Sequence, residues 1–423
     1  MRLIIENVRS FAGRHEIPIK PLTILTGENS SGKTTLLGCL AAVSDPVGFP
    51  LNPKFDAPPY DLGSYDTIAT NKGGRPGIAE SFSIGWADGP GESHALATYE
   101  NQAGVPRLRS FHTHAASGEV SMTLDEAGKS YRVFQGRAGD SDSVEFAIDE
   151  VWGNGVFASA LTRSLSTAFR HESGTNESPY MVSAPFIGVT RLEKTASIAV
   201  IRARPKRTYD PATFSYSPDG SHIPHVLARL TDPGYDQEWK QVQRDLEQFG
   251  MESGLFSGVK VKHLGKAGAD PFQILVKVGG AWINWADVGC SVSQILPVVV
   301  ESLFPSGPSA LLIQQPELDL HPEAQAALGS FFARVTRDRQ ATEQQISFAI
   351  ETHSDYLADR VRMQIADGTI DHRSVVILYV EKKGRSARVH PLGLDSIGNI
   401  LDAPPTYRQF FLREELALLT RAH

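Results

Sequence analysis

The chain has 423 residues, of which 41% are hydrophobic and 21% are charged, and its formal net charge is −7. This composition excludes a disordered chain and a histone-like nucleic-acid binder, and the length suggests two or three domains of roughly 150 residues each. The two cysteines, Cys39 and Cys290, lack a CxxC spacing, which excludes a cysteine-based zinc ribbon and favours a reducing compartment. No stretch has the roughly 18 uninterrupted apolar residues of a membrane span, so we predict a cytoplasmic protein without a membrane partner.

The N-terminal part begins with two strand-like runs at residues 3–8 and 22–26, followed by a helical pattern over 33–43. Short strand-like pieces separated by turn residues come next, at residues 82–84, 96–99, 120–124 and 131–134. Their spacing predicts an antiparallel meander.

The middle and C-terminal parts contain more helical patterns. Apolar residues three or four apart predict amphipathic helices over 157–169 and 239–249, and Gly279-Gly280 between two apolar runs predicts a hairpin. Helix and strand patterns then alternate at residues 293–303, 310–313, 322–335, 347–350, 355–366 and 375–380. This alternation predicts a parallel sheet covered by helices, and therefore an α/β fold.

A phosphate-loop motif, GxxxxGK[ST], lies between the second strand-like run and the first helix. It consists of Gly27, Glu28, Asn29, Ser30, Ser31, Gly32, Lys33, Thr34 and Thr35. Its glycines let successive backbone N–H groups surround phosphates, and the helix N-terminus adds its dipole. We expect Lys33 to bridge the β and γ phosphates and the Thr34 hydroxyl to bind Mg²⁺. The motif predicts ATP and Mg²⁺ as cofactors; the competing interpretation is a Gly/Ser turn that caps a helix.

Three further motifs lie far downstream. Residues 288–294 read Val-Gly-Cys-Ser-Val-Ser-Gln, residues 311–322 read Leu-Leu-Ile-Gln-Gln-Pro-Glu-Leu-Asp-Leu-His-Pro, and residues 350–354 read Ile-Glu-Thr-His-Ser. The strand before the phosphate loop reads Ile-Glu-Asn-Val-Arg-Ser-Phe over residues 5–11. Together these motifs resemble the ABC-type ATPases, and among them the soluble branch of SMC-like, OLD-type and RecF-type proteins.

The resemblance covers residues 1–43 and 285–380 directly, with a weaker match over 204–220. It implies an ABC-type P-loop NTPase head, a mixed sheet with flanking helices, built from both chain ends around an inserted α+β middle region. The implied segments are an N-terminal ATPase lobe (1–150), an inserted region (151–285) and a C-terminal ATPase lobe (286–423).

The resemblance also implies roles for individual residues. Ser291, Ser293 and Gln294 would form the signature that meets the nucleotide of the opposite subunit, although the two serines could equally cap a helix. His353 would be the switch histidine that senses the γ phosphate, whereas a lone loop histidine usually has no such role. His321 lies at the position of the D-loop, which faces the dimer partner.

The sequence departs from the family at Gln314 and Gln315. A strand ending here normally offers one carboxylate to the Mg²⁺ shell and a second that orients or deprotonates the attacking water. Gln314 and Gln315 stand at the catalytic positions, with Gln314 also at the metal position, and an amide cannot act as a general base. We therefore expect slow or absent hydrolysis, whether the amides form a natural switch or reflect a Glu-to-Gln change that traps ATP. Glu317 is a remaining carboxylate nearby.

Two other features bear on partners. A basic run of Arg202, Arg204, Lys206 and Arg207 could bind nucleic-acid phosphates, and the competing interpretation is a solvated or partner-facing strand edge. Glu381 resembles the glutamate of a Toprim nuclease, but no Asp-x-Asp pair follows it, so we interpret it as a strand-end surface residue.

The resemblance points to ATP-driven assembly, because a phosphate loop and a signature complete each other only across a dimer. We expect a homodimer or higher homo-oligomer that acts as sensor or scaffold for a separate effector, a nuclease or toxin, in phage defence or DNA maintenance. The alternative is a non-hydrolysing, nucleotide-dependent assembly protein that cages a toxin or nuclease. DNA or RNA is a further candidate partner.

Overall fold

A computed structural model describes residues 1–45, 48–73, 77–89, 93–115, 118–125, 130–137, 140–147, 194–211, 215–265, 270–342, 345–409, 413–414, 416–417 and 420. The strands in these ranges are β1 (Arg2–Val8), β2 (Phe11–Pro18), β3 (Leu22–Gly27), β4 (Ser81–Ala87), β5 (His94–Gln102), β6 (Val105–Ala115), β7 (Gly118–Leu124), β8 (Ser130–Arg137), β9 (Asp140–Ala147), β10 (Thr195–Ile198), β11 (Gly258–His263), β12 (Phe272–Val278), β13 (Ala281–Asn284), β14 (Ala310–Gln314), β15 (Ser347–Glu351), β16 (Val375–Lys383), β17 (Ser386–Leu394) and β18 (Ile400–Leu401). The α-helices are α1 (Lys33–Val43), α2 (Tyr65–Ile68), α3 (Ile223–Leu230), α4 (Asp236–Ser253), α5 (Cys290–Leu303), α6 (Pro322–Gln340) and α7 (Asp355–Ala366).

The central sheet has seven strands in the order β10-β14-β15-β3-β16-β17-β18. The strands from β10 to β16 in this order are parallel, while β17 and β18 are antiparallel to their neighbours. The strand that leads into the phosphate loop, β3, lies between β15 and β16, which come from the other end of the chain. The two chain ends therefore build one sheet, and the predicted α/β fold is confirmed.

Both faces of the central sheet are buried. Leu22 and Ile24 of β3 pack on one face with apolar residues of α3 to α7, whereas Leu25 packs on the other face with α1 and a second sheet. Successive side chains of a strand point to opposite faces, so a strand covered on both sides must be apolar throughout. This requirement explains the continuous apolar runs that made these strands recognisable in the sequence.

The second sheet contains eight antiparallel strands in the order β2-β1-β4-β5-β6-β7-β8-β9. The predicted meander is confirmed by β4, β5, β7 and β8, but β6 and β9 were not predicted. In β6, Arg107 and Arg109 alternate with smaller or apolar residues, so its sequence lacks a strong apolar signal. The strand forms because β5 and β7 hydrogen-bond to its two edges.

A third sheet, β11-β12-β13, contains the predicted hairpin, in which Val278 pairs with Ala281 across the two glycines. The predicted helix over 239–249 is confirmed by α4, which is longer at both ends. The helix predicted over 157–169 lies outside the described residues. The short helix α3, with Pro224 in its first turn, was not predicted.

The three-segment division at residues 150 and 285 stays a prediction. One strand of the predicted inserted region, β10, pairs with β14 at the edge of the central sheet. In the part of the chain that the structure describes, no helix combines the length and hydropathy needed to cross a membrane.

Candidate functional site

The phosphate loop connects β3 to α1 and depends on two glycines. Gly27 has a φ of 141°, and a Cβ atom there would lie 2.2 Å from the carbonyl oxygen of Val380 on β16. Gly32 has a φ of 112° and precedes α1, whose N-terminus has no side-chain cap. Other residues would clash or be strained at these positions. The loop therefore leaves the positive end of α1 available for an anion.

Lys33 extends back over the loop from the first residue of α1. Its Nζ donates to the carbonyl oxygens of Gly27 at 3.0 Å and Glu28 at 2.7 Å. Burial lowers the pKa of Lys33, while Glu351 and Glu317, in that order, act in the opposite direction. Lys33 is thus a cation held among backbone oxygens, beside two carboxylates from distant parts of the sequence.

Thr34 contacts one of these carboxylates. Its hydroxyl lies 3.0 Å from Oε1 and 2.9 Å from Oε2 of Glu351, and it donates to this carboxylate. Glu351 is the last residue of β15 and is only 4% exposed. Burial raises its pKa, against the lowering effects of Thr34 and Lys33. Sequence reasoning did not assign Glu351 a role, because its partner is 317 positions away in the chain.

Gln314, the predicted metal residue, lies one strand further from the phosphate loop. It ends β14, is 5% exposed, and pairs in register with Glu351, to which its side chain hydrogen-bonds. Gln315, the predicted catalytic residue, has a φ of 41°, and its backbone N–H donates to the carbonyl of Glu351 at 2.8 Å. Both glutamines therefore lie beside Glu351.

Glu317 and His353 meet next to these residues. The backbone N–H of His353 donates to Oε1 of Glu317 at 2.7 Å. The other carboxylate oxygen, Oε2, is buried and has no hydrogen-bond partner among the described residues. Burial raises the pKa of Glu317. Loss of hydration and, to a smaller extent, the charge of Lys33 lower the pKa of the His353 imidazole. A carboxylate with an unused oxygen thus lies near the predicted γ-phosphate sensor.

The signature residues lie at the start of α5, which Gly289 precedes as the N-cap residue. The Ser291 hydroxyl donates to the carbonyl of Asp319 at 2.7 Å, and the Ser293 hydroxyl donates to the carbonyl of Gly289 at 3.3 Å. Neither serine makes the N-cap bond that the competing interpretation required. Gln294 is half-buried. Ser291 thereby connects the signature to the loop between β14 and α6.

Two helix N-termini border the same region. His321, at the predicted D-loop position, is exposed and accepts a bond from the backbone N–H of Glu323 at the start of α6. Ser354 accepts a bond from the backbone N–H of Leu357 and thereby caps α7.

The predicted basic run is not a continuous surface. Arg202 is 3% exposed, so its expected surface position is wrong, and its guanidinium donates to the carbonyls of Gln314 at 2.9 Å and Gln315 at 3.3 Å. Burial lowers its pKa to about 10. Arg207 forms a bidentate ion pair with Asp287, at 2.6 and 2.9 Å. Arg202 therefore hydrogen-bonds to the end of β14 from the protein interior. The basic residues that follow it in the sequence had indicated a position on the protein surface.

Glu381, predicted as a surface residue, is also buried. It is 5% exposed and lies 3.1 Å from Nε2 of His390 on the neighbouring strand β17. Its place in the interior of the paired β16 and β17 strands was not apparent because charged residues follow it in the sequence.

Arg9 is a further residue that sequence reasoning missed. It follows β1 with a φ of 48°, and its guanidinium donates to the Thr35 hydroxyl at 3.3 Å and to the carbonyl of Leu62 at 3.0 Å. Arg9 and Ser10 line a cleft together with the phosphate loop and Glu351. The available signal was its place directly after the first strand, within the segment that resembles the ABC-type ATPases.

These residues fit a magnesium nucleotide. The buried Ser31 hydroxyl in the loop has no hydrogen-bond partner within the described ranges, so a donor is free for a phosphate oxygen. No group of three or more His, Cys, Asp or Glu side chains in those ranges forms a ready metal site. Mg²⁺ is usually held by one or two carboxylates together with substrate phosphates and water, so a single carboxylate beside a phosphate loop meets its needs.

The sequence and the fold were compared with those of known proteins. Residues 2–45 match the AAA domain family. No curated protein matches the sequence significantly. The similar solved structures include an SMC head bound to the C-terminal winged-helix domain of ScpA, with 11% identity and a TM-score of 0.43 over 93% of this chain and 97% of that chain. The SMC head domain from Thermotoga maritima shows 11% identity and a TM-score of 0.38 over 92% and 98%. The Smc head domain with a coiled coil and joint from Pyrococcus yayanosii shows 8% identity and a TM-score of 0.43 over 92% and 96%.

The strand order around β3, the phosphate loop and the AAA-domain match over residues 2–45 describe the fold of this protein. It is a P-loop NTPase fold, in which a mixed sheet is flanked by helices.

Proposed function

We propose that this chain binds ATP with Mg²⁺, dimerises through the bound nucleotide and hydrolyses it slowly. The observation that carries the proposal is the meeting of Lys33, Thr34 and Glu351 at the N-terminus of α1. A cation, a hydroxyl and a buried carboxylate at a helix N-terminus match the phosphates and the metal of a nucleotide. Bound Mg²⁺ neutralises phosphate charge.

Within this proposal, each residue of the site has a task. The loop from Gly27 to Thr35 surrounds the phosphates, Lys33 contacts the β and γ phosphates, and His353 senses the γ phosphate. Because Gln314 ends β14 and Gln315 follows it directly, the site lacks the usual base, and hydrolysis is slow.

Dimerisation is supported by the position of the signature. Ser291 lies at the N-terminus of α5, and its neighbours Cys290 and Asp319 are exposed. An exposed helix N-terminus with a hydroxyl is suited to a phosphate presented by a second copy. In a head-to-tail dimer, each signature would then close the nucleotide site of the other subunit.

We propose that a separate partner protein responds to the ATP-bound state of this chain. The family resemblance favours a sensor or scaffold for a separate nuclease or toxin, in phage defence or DNA maintenance. The alternative is a nucleotide-dependent assembly protein that cages such an effector without hydrolysis. The similar SMC head named above binds ScpA, which illustrates that a head of this architecture can dock a separate protein. An effector that co-purifies with the ATP-bound form and leaves the ADP-bound form would support the sensor function.

We expect ATP with Mg²⁺ to convert the monomer into a dimer, since a nucleotide shared by two subunits stabilises the assembled state. Analytical ultracentrifugation with ATP, with ADP and without nucleotide measures this change. Ser291→Arg should prevent dimer formation, because the larger, charged side chain blocks the signature surface. The affinity of the monomer for ATP should be unchanged. Ser374→Arg, on the turn before β16, is the matched control. Sedimentation of the unmodified protein that does not depend on ATP would contradict the proposal.

A further inference from the structure

The carboxylate beside the phosphate loop belongs to a different strand from the one expected. At the end of β14, Gln314 carries no charge, whereas Glu351 ends the adjacent strand β15 in register with it. Since β15 lies between β14 and β3, the carboxylate is one strand, about 4.8 Å, nearer to the phosphate loop.

The Thr34 hydroxyl shows how this carboxylate can serve a metal. A hydroxyl has one donor and two acceptor lone pairs. Because Thr34 donates its hydrogen to Glu351, its lone pairs remain available for Mg²⁺. The carboxylate thereby orients the first protein ligand and adds negative charge behind it.

The burial of Glu351 is a second reason to expect a metal ion beside it. A buried carboxylate is costly unless a cation or hydrogen bonds compensate it. The cation near Glu351 is Lys33, whose ammonium is already engaged with two loop carbonyls. In addition to the hydrogen bonds from Thr34 and Gln314, a divalent ion at the Thr34 hydroxyl would supply a further positive charge beside this carboxylate.

We propose that Glu351 provides the carboxylate of the Mg²⁺ site that β14 lacks, either as a ligand or through a bound water. This inference rests on the proposed function, because it concerns the metal that accompanies ATP. It explains how a strand that ends in two amides can belong to a site that uses Mg²⁺.

The test compares ATP affinity with Mg²⁺ and with EDTA by isothermal titration calorimetry. Glu351→Gln should weaken binding in Mg²⁺ by about 10- to 100-fold, as for other residues that support a metal. It should not weaken binding in EDTA, because without a metal the carboxylate only repels the phosphates. In the double variant Gln314→Glu/Glu351→Gln, the carboxylate returns to β14, and most of the Mg²⁺ effect should return with it. Glu381→Gln is the matched control, because Glu381 is a buried carboxylate on β16, at the other side of β3.

The possible results separate the two proposals. If the unmodified protein binds ATP more tightly in Mg²⁺ and Glu351→Gln retains the whole gain, Glu351 does not support the metal. If the unmodified protein binds no ATP in either buffer, the proposed function itself fails. Glu351→Asp, which keeps the charge, is expected to retain part of the gain, so a general folding defect can be distinguished from loss of the carboxylate.

A second, independent feature is the outer face of the three-stranded sheet. We call it the Lys–Trp face, and it contains Lys260, Lys262, Lys277 and Trp282. Lys277 pairs directly with Trp282 in the sheet. The Nζ of Lys260 lies 4.1 Å from the centre of the Trp282 ring, and that of Lys277 lies 6.0 Å from it. The opposite face, with Val259 and Val276, is buried in the core.

Among the described residues, none of the three lysines of the Lys–Trp face forms a salt bridge with a carboxylate, although the Glu247 carboxylate lies beside the same face near Gly258. Trp282 is 40% exposed. Proteins that bind single strands combine cations, which contact phosphates, with aromatic rings, on which bases stack. For a base to stack on the ring face that Lys260 covers, the Lys260 ammonium would move from the ring to a phosphate. The basic run from Arg202 to Arg207 lacks this combination.

We propose that the Lys–Trp face binds single-stranded nucleic acid. Labelled oligo(dT) and oligo(rU) of equal length, titrated by fluorescence anisotropy at two salt concentrations, test it and distinguish DNA from RNA. Trp282→Ala should weaken binding by about 5- to 100-fold. Lys260→Glu/Lys262→Glu should weaken binding and reduce its salt dependence. Arg204→Glu/Lys206→Glu, on the exposed part of the basic run, is the matched control.

Binding that both sets of Lys–Trp variants leave unchanged would overturn the proposal, as would an absence of binding at low salt. If a duplex bound as tightly as the single strands and Trp282→Ala did not change its affinity, the assignment to single strands would be overturned. Equal affinity for polyglutamate would show that the face selects acidic polymers in general.

Discussion

Replacing Lys33 with alanine should weaken ATP binding so much that it is no longer measurable at micromolar nucleotide concentrations. Lys33 is the cation at the N-terminus of α1, and it is positioned by the carbonyls of Gly27 and Glu28. A hydrogen bond to a charged group contributes about 1.5–3 kcal/mol, so losing contacts to two phosphates should lower affinity by about 10²- to 10⁴-fold. A fluorescent ATP analogue, displaced by unlabelled ATP, measures this change.

Lys20 provides the control for this experiment. It precedes β3, and its Nζ donates to the carbonyl of Val375 at 2.9 Å, at the end of the sheet away from the phosphate loop. Lys20→Ala therefore also removes a partly buried lysine from a backbone carbonyl, but it should leave ATP affinity unchanged. Micromolar binding by a folded Lys33→Ala protein would show that the loop does not hold phosphates as proposed.

Glu317→Gln should reduce the remaining ATP hydrolysis by about 10²- to 10⁴-fold, the usual contribution of a positioned base. Positions 314 and 315 carry amides, whereas Glu317 carries a carboxylate that accepts a hydrogen bond from the His353 backbone. The buried Oε2 of Glu317 has no hydrogen-bond partner among the described residues. The amount of phosphate formed, measured after acid quenching under single-turnover conditions, gives the rate of the chemical step without interference from product release.

The same residue predicts the pH dependence of hydrolysis. A base acts in its deprotonated form, and burial raises the pKa of Glu317 above the ordinary value for a glutamate. The rate should therefore fall as the pH decreases through this raised pKa, at a higher pH than an exposed glutamate would give. Glu323→Gln, at the exposed start of α6, is the control. A rate that Glu317→Gln does not change would assign water activation to another group.

The sequence alone determined the phosphate loop and most elements of the head. Gly27 and Gly32 are required by backbone geometry, and the two-residue hairpin at Gly279-Gly280 follows from local turn chemistry. The helix over 355–366 was predicted at the bounds that the structure shows, because Ser354 caps it and its apolar residues repeat at helical spacing. Such signals act between residues that are close in the chain, so periodicity and composition reveal them.

Only the tertiary structure decided which distant side chains meet. The register of β14 against β15 places Glu351 beside Gln314, and the parallel pairing of β15 with β3 brings it to Thr34. Arg202 is buried because the Gln314 and Gln315 carbonyls accept its hydrogen bonds, although its neighbours in the sequence are exposed. These contacts depend on strand order and register between segments that are separate in the chain. Residue patterns that repeat within a few positions carry no information about them.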